Sequence, residues 1–458
     1  MPYNRKTKIV ATLGPATDSK EVLAELAKTG VNVFRVNFSH ADYEDVKKKI
    51  KMIREINEER GYNVAILADL QGPKLRVGVM EEGVLLNDGD TFIFTTEKCI
   101  GTKEKAFMTY KRFPKDVKVG EHILVDDGKL MFEVISSDKE TQVVTKVIVG
   151  GFLKSKKGVN LPNTAISLPA LTKKDKEDAI FALGLNVDWM ALSFVRTPED
   201  LRMLRDLIDQ HSDYRVPVIA KIEKPEAIKN MDEIIKKSDG IMVARGDLGL
   251  EIPSEEVPLN QKLLVKKAKK ARKPIIIATQ MMESMITSLT PSRAEVNDVA
   301  NSVMDGADAV MLSGETSVGK YPVQVIEKMA SICRRLENSP LIKVPYEPPG
   351  IRTNRYITKS VCYHAAKIAD EIDAKVICTL TNSGYTAFQI SAWRPEAHIL
   401  VFTSNRRILS RLNLLWGVRA YFYDKHVSTD ETVCDINEIA VTEGYAQEGD
   451  FLVNLAAM

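Results

Sequence analysis

The chain alternates short apolar runs with longer stretches whose apolar residues recur at helical spacing. Through most of the first 320 residues the runs are Lys8–Leu13, Val31–Val36, Val64–Ala68, Asp188–Ser193, Val216–Ala220, Gly240–Ala244, Pro274–Ala278 and Ala309–Leu312. Continuous rather than alternating apolarity marks strands buried on both faces, as in parallel sheets covered by helices. Eight βα-type units close a parallel barrel inside a ring of helices, so the pattern predicts a (β/α)8 TIM barrel. A doubly wound open sheet is the alternative, but it usually has fewer strands and would not put polar groups after every one.

The pattern breaks twice. From about Lys74 to Pro169 it runs as short β-rich pieces separated by turn markers such as Asn87-Asp-Gly89 and Asp127-Gly128, as in a small β-barrel or sandwich. Inserted between the third and fourth units, this domain emerges from the C-terminal face, where barrel enzymes react, and is expected to act as a lid. The second break is the proline-rich stretch Pro340–Pro349, a linker to a separate α/β domain with strands at Val376–Leu380, Ile399–Phe402, Arg419–Tyr423 and Phe451–Leu455. The expected division is barrel 1–73, inserted lid 74–170, barrel 171–342 and C-terminal α/β domain 343–458.

Composition narrows the class without naming a function. At 458 residues, 44% hydrophobic and 28% charged, the chain reads as an ordinary globular protein of about three domains. A net charge of +2 argues against broad nucleic-acid binding, and Lys-rich runs such as Lys266–Lys270 read as solvated helix faces. The N-terminus lacks a signal-peptide core, and no run of about eighteen apolar residues would span a membrane. The five cysteines are scattered without C-x-x-C spacing, as expected of reduced residues in a cytoplasmic protein.

Candidate chemistry sits at the strand ends. Val218-Ile-Ala-Lys-Ile-Glu-Lys-Pro-Glu226 and Asp239-Gly-Ile-Met-Val-Ala-Arg-Gly-Asp-Leu-Gly249 each begin apolar and end charged at a turn. They supply Lys221, Glu223 and Asp247: an ammonium beside two carboxylates, suited to a Mg²⁺ (or Mn²⁺) ion and an anionic reacting group. Paired strand-end salt bridges are the structural alternative. In a barrel, these residues pool with Thr12, Arg35, Asn37, Ser39, His40, Asp69, Arg76, Ser193, Arg245, Thr279 and Ser313. Fixed cations and carboxylates without an obvious catalytic cysteine or histidine suit phosphoryl transfer, which needs positioning and charge neutralisation more than covalent chemistry. No G-x-G-x-x-G follows a strand and no P-loop occurs. Taken singly, Arg35 reads equally as a structural ion pair, His40 as a turn or cap residue, and Thr279 and Ser313 as helix caps.

Ordered along the chain, Ala11-Thr-Leu-Gly-Pro-Ala16, Arg35-Val-Asn-Phe-Ser-His40, Lys221-Ile-Glu223, Ala244-Arg-Gly-Asp-Leu-Gly249, Ala278-Thr-Gln-Met-Met-Glu-Ser284 and Met311-Leu-Ser-Gly-Glu-Thr316 resemble the pyruvate kinase family, over essentially the whole length. The resemblance implies transfer of the phosphoryl group of phosphoenolpyruvate to ADP, giving pyruvate and ATP. It implies Glu223 and Asp247 as ligands of the divalent ion, Lys221 on the phosphoryl group in flight, and Arg35 on the phosphate. Arg76 and Lys157 would neutralise the nucleotide's phosphates, with Asn37, Ser39 and His40 along the nucleotide and monovalent-cation side. The Gly246 and Asp247 amides and Thr279 would receive the substrate carboxylate, and Thr279 and Ser313 would relay the proton to the enolate.

Many members of this family require K⁺, with ligands matching Asn37, Ser39, Asp69 and the carbonyl of Leu70. Those members carry glutamate at Lys74, and threonine and lysine at Leu70 and Gln71; this chain's Leu70, Gln71, Lys74 and Val77 resemble the K⁺-independent branch. A fixed ammonium at Lys74 would supply the charge that K⁺ supplies elsewhere. The loop Thr381, Asn382, Ser383, Gly384 and Thr386 matches the family's phosphate loop for a sugar-phosphate effector, with helix capping as the plain alternative. The family fold continues past this chain's last strand, so a shortened C-terminal domain is expected, which weakens the expectation of allosteric activation more than that of catalysis. A homotetramer is implied by the resemblance alone. Two other readings stay open: a Mg²⁺-dependent barrel aldolase or lyase acting on an enolpyruvate or oxo acid, and a silent sensor of phosphorylated metabolites.

Overall fold

A computed structural model describes residues 5–39, 41–162, 164, 166–337, 339, 346–350 and 354–455. Its centre is a closed parallel barrel of eight strands: Lys8–Thr12, Val33–Asn37, Ala65–Asp69, Trp189–Leu192, Val218–Ile222, Gly240–Ala244, Ile275–Ala278 and Ala309–Leu312. Each strand pairs with its neighbours in chain order, and the first closes on the last through Lys8↔Ala309 and Val10↔Met311. The closed barrel, and not an open sheet, is the fold.

Successive residues of a strand face opposite sides, so each barrel strand divides its side chains between two cores. Ile9, Ala11, Phe34, Ile66, Met190 and Ala220 pack outward against the helices. Val10, Val33, Leu67, Trp189, Ile219, Met242, Ile276 and Met311 fill the interior. The same alternation sends Thr12, Arg35, Asp69 and Lys221 to the interior's upper layer, where the apolar filling gives way to charge.

The insertion between Ala65–Asp69 and Trp189–Leu192 is a curled six-stranded sheet around Phe92, Phe94, Phe113 and Phe132. Residues 76–80 close the curl: Arg76 bridges Gly158 beside one edge strand, and Val77 bridges Met108 beside the other. The expected small β-barrel is therefore met by a sheet whose entry segment ties its two edges together.

The C-terminal part is a parallel four-stranded sheet, ordered Val418–Phe422, His398–Thr403, Val376–Leu380, Leu452–Leu455, with separate apolar clusters on its two faces. It plugs the N-terminal end of the barrel. Leu414 joins the interior cluster, Trp189 Nε1 donates to the Arg411 carbonyl at 3.0 Å, and Asn413 Nδ2 donates to the Asn63 carbonyl at 3.0 Å. Of the expected proline-rich linker, 340–345 lies outside the described residues; Tyr346 stacks on Trp393 at 5.7 Å. All five cysteines are free thiols. Among the described residues, no helix is long and apolar enough to cross a membrane.

His398 opens the second strand of this sheet with its ring edge-on to Tyr445. Burial, reinforced by Lys6 and Lys8, pushes its pKa down from 6.5 to about 4. The unfolded chain therefore takes up the proton first as pH falls, and stability is lost between about pH 6.5 and 4. The full shift corresponds to up to about 3 kcal/mol. Urea denaturation across this window is expected to show a steeper loss for the wild type than for His398→Gln; parallel curves would contradict the assignment.

Candidate active site

Four charged side chains from neighbouring strands meet in the barrel's upper layer. Asp69, 1% exposed, accepts from Arg35 Nε at 2.6 Å through Oδ2 and holds Lys221 Nζ 3.2 Å from Oδ1. Arg35 Nη1 also donates to Thr12 Oγ1 at 3.0 Å. Lys221 Nζ lies 3.0 Å from Glu223 Oε1 and donates to Ser193 Oγ at 2.7 Å, and that hydroxyl donates to the Leu70 carbonyl at 2.7 Å. The lysine is thus fixed on three sides.

Electrostatics follow from this burial. Burial works against the Lys221 charge, but Asp69 and Glu223 outweigh it and hold its pKa above the ordinary value. Burial likewise works against the Asp69 carboxylate, and Lys221 and Arg35 together pull its pKa below the usual range. Glu223 moves the other way. Burial pushes its carboxyl up and Asp247 adds to this, against the pull of Lys221. Glu223 Oε2 accepts the Phe194 amide at 2.7 Å, while Oε1 is buried against Lys221 Nζ. Glu223 beside Asp247, with its Oε1 facing only the Lys221 ammonium, is a donor set suited to a hard divalent cation.

The rim beside Asp247 is built from strained backbone. Thr279, Gln280 and Phe194 have φ of 71°, 54° and 54°. For a β-branched threonine that conformation costs on the order of 1–3 kcal/mol and persists only when its surroundings impose it. Arg245 does so: its guanidinium donates to the Thr279 carbonyl at 2.7 Å and is anchored by Asp298 at 2.6 Å. The Thr279 hydroxyl accepts the Gly246 amide at 2.7 Å and donates to the Ala278 carbonyl at 2.6 Å. Glu315 ties the next loop down, accepting the Met282 amide at 3.0 Å and the Ser313 amide at 2.7 Å.

A cleft lined by Lys74, Asn160, Phe194, Lys224, Asp247 and Glu251 separates barrel from lid. Glu251 spans it, accepting from Asn160 Nδ2 of the lid at 3.0 Å and from Lys224 Nζ of the barrel at 2.7 Å. On the lid side, Lys157 pairs with Asp126 at 2.8 Å, and Arg76 Nη1 donates to the Lys156 carbonyl at 3.1 Å.

Of the residues expected from sequence, the structure brings Arg35, Asp69, Lys221 and Glu223 into direct contact, with Gly246, Asp247 and Thr279 on the adjoining rim. Asn37 Oδ1 accepts the Ser39 amide at 3.2 Å. His40 lies outside the described residues. The Thr381 loop is remote: it follows the strand Val376–Leu380, Thr381 Oγ1 accepts the Gly384 amide at 3.0 Å, and the Thr386 hydroxyl lies 3.0 Å from that of Thr379. The strand-end pattern includes Ser193, Arg245 and Glu315 without giving them a task, and does not reach Glu251 and Lys224. Asn160 follows Lys157 closely in the stretch Lys156-Lys-Gly-Val-Asn160, which is the available pointer to the lid contact.

A barrel whose upper layer holds buried Arg35 and Lys221 between carboxylates, and whose opening carries an inserted sheet, suits a transferase for strongly anionic substrates. The barrel-domain model of pyruvate kinase matches residues 4–326, and the alpha/beta-domain model matches residues 359–458. The chain belongs to the pyruvate kinase family. It is 43% identical to the pyruvate kinase of Geobacillus stearothermophilus over 99% of its own length and 78% of that protein's. With the pyruvate kinase of Mycobacterium tuberculosis it shares 42% identity, over 99% of this chain and 95% of that one. A crystal structure of a pyruvate kinase from Cryptosporidium parvum superposes with a TM-score of 0.92 at 35% identity, covering 99% of this chain and 94% of that one. The chain is accordingly a transferase acting between phosphoenolpyruvate plus ADP and pyruvate plus ATP.

Proposed function

We propose that Lys221 is the centre of this chemistry. The observation that carries the reading is a buried ammonium held between Asp69 and Glu223 at the mouth of the barrel. Glu223 and Asp247 would hold Mg²⁺ or Mn²⁺, which when bound supplies positive charge to the phosphoryl oxygens and the enolate. Lys221 stays protonated across the working pH range and neutralises the group in flight as a compact point charge. Arg35, pinned by Asp69, directs its guanidinium at the phosphate. The Gly246 and Asp247 amides, with Thr279, orient the substrate carboxylate; Thr279 and Ser313 belong to the polar path that protonates the enolate. Arg76 and Lys157 at the lid's entry take the nucleotide phosphates, with Asn37, Ser39 and His40 on the same side. Closure through Glu251 and Asn160 excludes water, so the phosphoryl group goes to ADP.

A lactate-dehydrogenase-coupled assay with phosphoenolpyruvate and ADP tests this: pyruvate must appear only with ADP and a divalent ion. Pyruvate without nucleotide would favour a lyase, and no product a silent metabolite sensor.

We also propose that turnover does not need K⁺. Three of the four candidate ligands are already spent within the protein: Asn37 on the Ser39 amide, Asp69 on Arg35 and Lys221, and the Leu70 carbonyl on Ser193. Lys74 faces the cleft with no ion pair among the described residues. kcat/KM in K⁺-free buffer should stay within tenfold of its value with K⁺. A larger fall, worth more than about 1.4 kcal/mol, would contradict this. On family membership alone, the Thr381–Thr386 loop is assigned to the phosphate of a sugar-phosphate effector, and the assembly to a homotetramer.

A further inference from the structure

The two carboxylates proposed for the divalent ion have neighbours that face the lid. Glu223 and Lys224 follow the strand Val218–Ile222 in succession. Glu251 lies four residues after Asp247 on the helix Arg245–Glu251, on the same face one turn further along. Lys224 Nζ stands 2.7 Å from Glu251 Oε1, and both side chains are almost fully buried. The metal pair and this ion pair therefore rise from the same two elements, one step apart.

The lid rests on that helix at two points. Asn160, on the strand Val159–Asn160, donates from Nδ2 to Glu251 Oε1 at 3.0 Å. Gly128 lies close to Leu250, where a Cβ on the glycine would stand 3.2 Å from Leu250 Cδ2. Lys224 of the barrel and Asn160 of the lid thus meet on one oxygen. Glu251 Oε2 is buried without a hydrogen bond among the described residues, so the carboxylate has little else to hold it. Depriving a buried carboxylate of one of few partners is unfavourable, which ties the lid to the helix.

We propose that Asn160 is a positioning residue for the divalent-ion site, acting from the lid through Glu251 and Lys224. The inference rests on Glu223 and Asp247 as the ion's ligands. When they share an ion, the strand end and the helix are held at one spacing. That spacing also sets Lys224 against Glu251, and with them the oxygen on which Asn160 lands. Such coupling is reciprocal: an ion that steadies the lid contact is bound more tightly when that contact is made. Asn160 is neutral and belongs to the lid, so its removal leaves the charge around Glu223 and Asp247 as it was.

Mn²⁺ titration of the full chain without substrate, read by electron paramagnetic resonance, tests this. Asn160→Ala is expected to weaken Mn²⁺ at least about fivefold, with the fold intact by circular dichroism. Asn160→Asp should weaken it too, because the new carboxylate is set against Glu251, and it stands in if the alanine variant fails to fold. An added negative charge acting only at a distance would instead tighten Mn²⁺. Hydrogen exchange gives the reciprocal reading: Mn²⁺ should slow exchange across residues 156–160 in the wild type and much less in Asn160→Ala. A wild type that binds no Mn²⁺ would overturn the metal assignment and this inference with it. Affinity unchanged in Asn160→Ala, or tighter in Asn160→Asp, would overturn this inference and leave the metal assignment standing.

Discussion

Replacing Lys221 with methionine is expected to lower kcat by at least about a thousandfold, some 4 kcal/mol of transition-state stabilisation, while phosphoenolpyruvate still binds. Methionine preserves most of the side-chain volume and deletes the charge, so the loss falls on the step in which charge moves. The proposed phosphate contact through Arg35 would remain, because Arg35 keeps its bond to Asp69. Steady-state kinetics report the first effect, and a fluorescence titration with phosphoenolpyruvate the second. Unchanged turnover would remove Lys221 from the mechanism. Glu223 would lose its ammonium neighbour at 3.0 Å, so the variant should also bind a divalent ion at least as well as wild type when substrate is absent.

Asp69→Asn should produce the largest combined effect on stability and rate. Asp69 is the carboxylate shared by Arg35 and Lys221, and all three side chains are buried. Asparagine keeps the shape but leaves two neighbouring cations without their common counter-ion. Breaking a buried pair in this way costs about 3–5 kcal/mol. The repulsion between Arg35 and Lys221, already opposed to the lysine charge, would then be unshielded. Chemical denaturation should show the stability loss, and kcat/KM should fall on the order of a hundredfold as both cations shift. The same logic gives a pH sign. The depressed pKa of Asp69 contributes stability above the unfolded carboxylate value, and that contribution is lost as pH falls through the lower folded value.

The barrel was legible because its signal is redundant. Eight apolar runs, each ending in a charged or hydroxylated turn, are hard to arrange otherwise. Lys221, Glu223 and Asp247 were legible for the same reason: charge at the end of a buried strand has to be used or paired. What stayed hidden depends on geometry across strands. Asp69 reads as a candidate cation ligand, yet its main partners are Arg35 and Lys221, set by the register of four consecutive barrel strands. Glu251 sits in an unremarkable helix, and only the fold carries Asn160 to it. The left-handed backbone of Thr279 has no sequence signature, since threonine is a poor choice there; Arg245 imposes it from outside. The C-terminal domain's role as the barrel's floor rests on Asn413 and Leu414, which in sequence are two residues after a short helix.

The central claim is that Glu223 and Asp247 form the divalent-ion site facing Lys221. Mn²⁺ titration followed by electron paramagnetic resonance, in the presence of phosphoenolpyruvate, measures that site without requiring turnover. The wild type should bind one Mn²⁺ per chain, and Glu223→Gln should weaken it at least about a hundredfold, near 2.7 kcal/mol, with the fold intact by circular dichroism. Equal affinity in the two proteins would place the metal elsewhere and contradict the account.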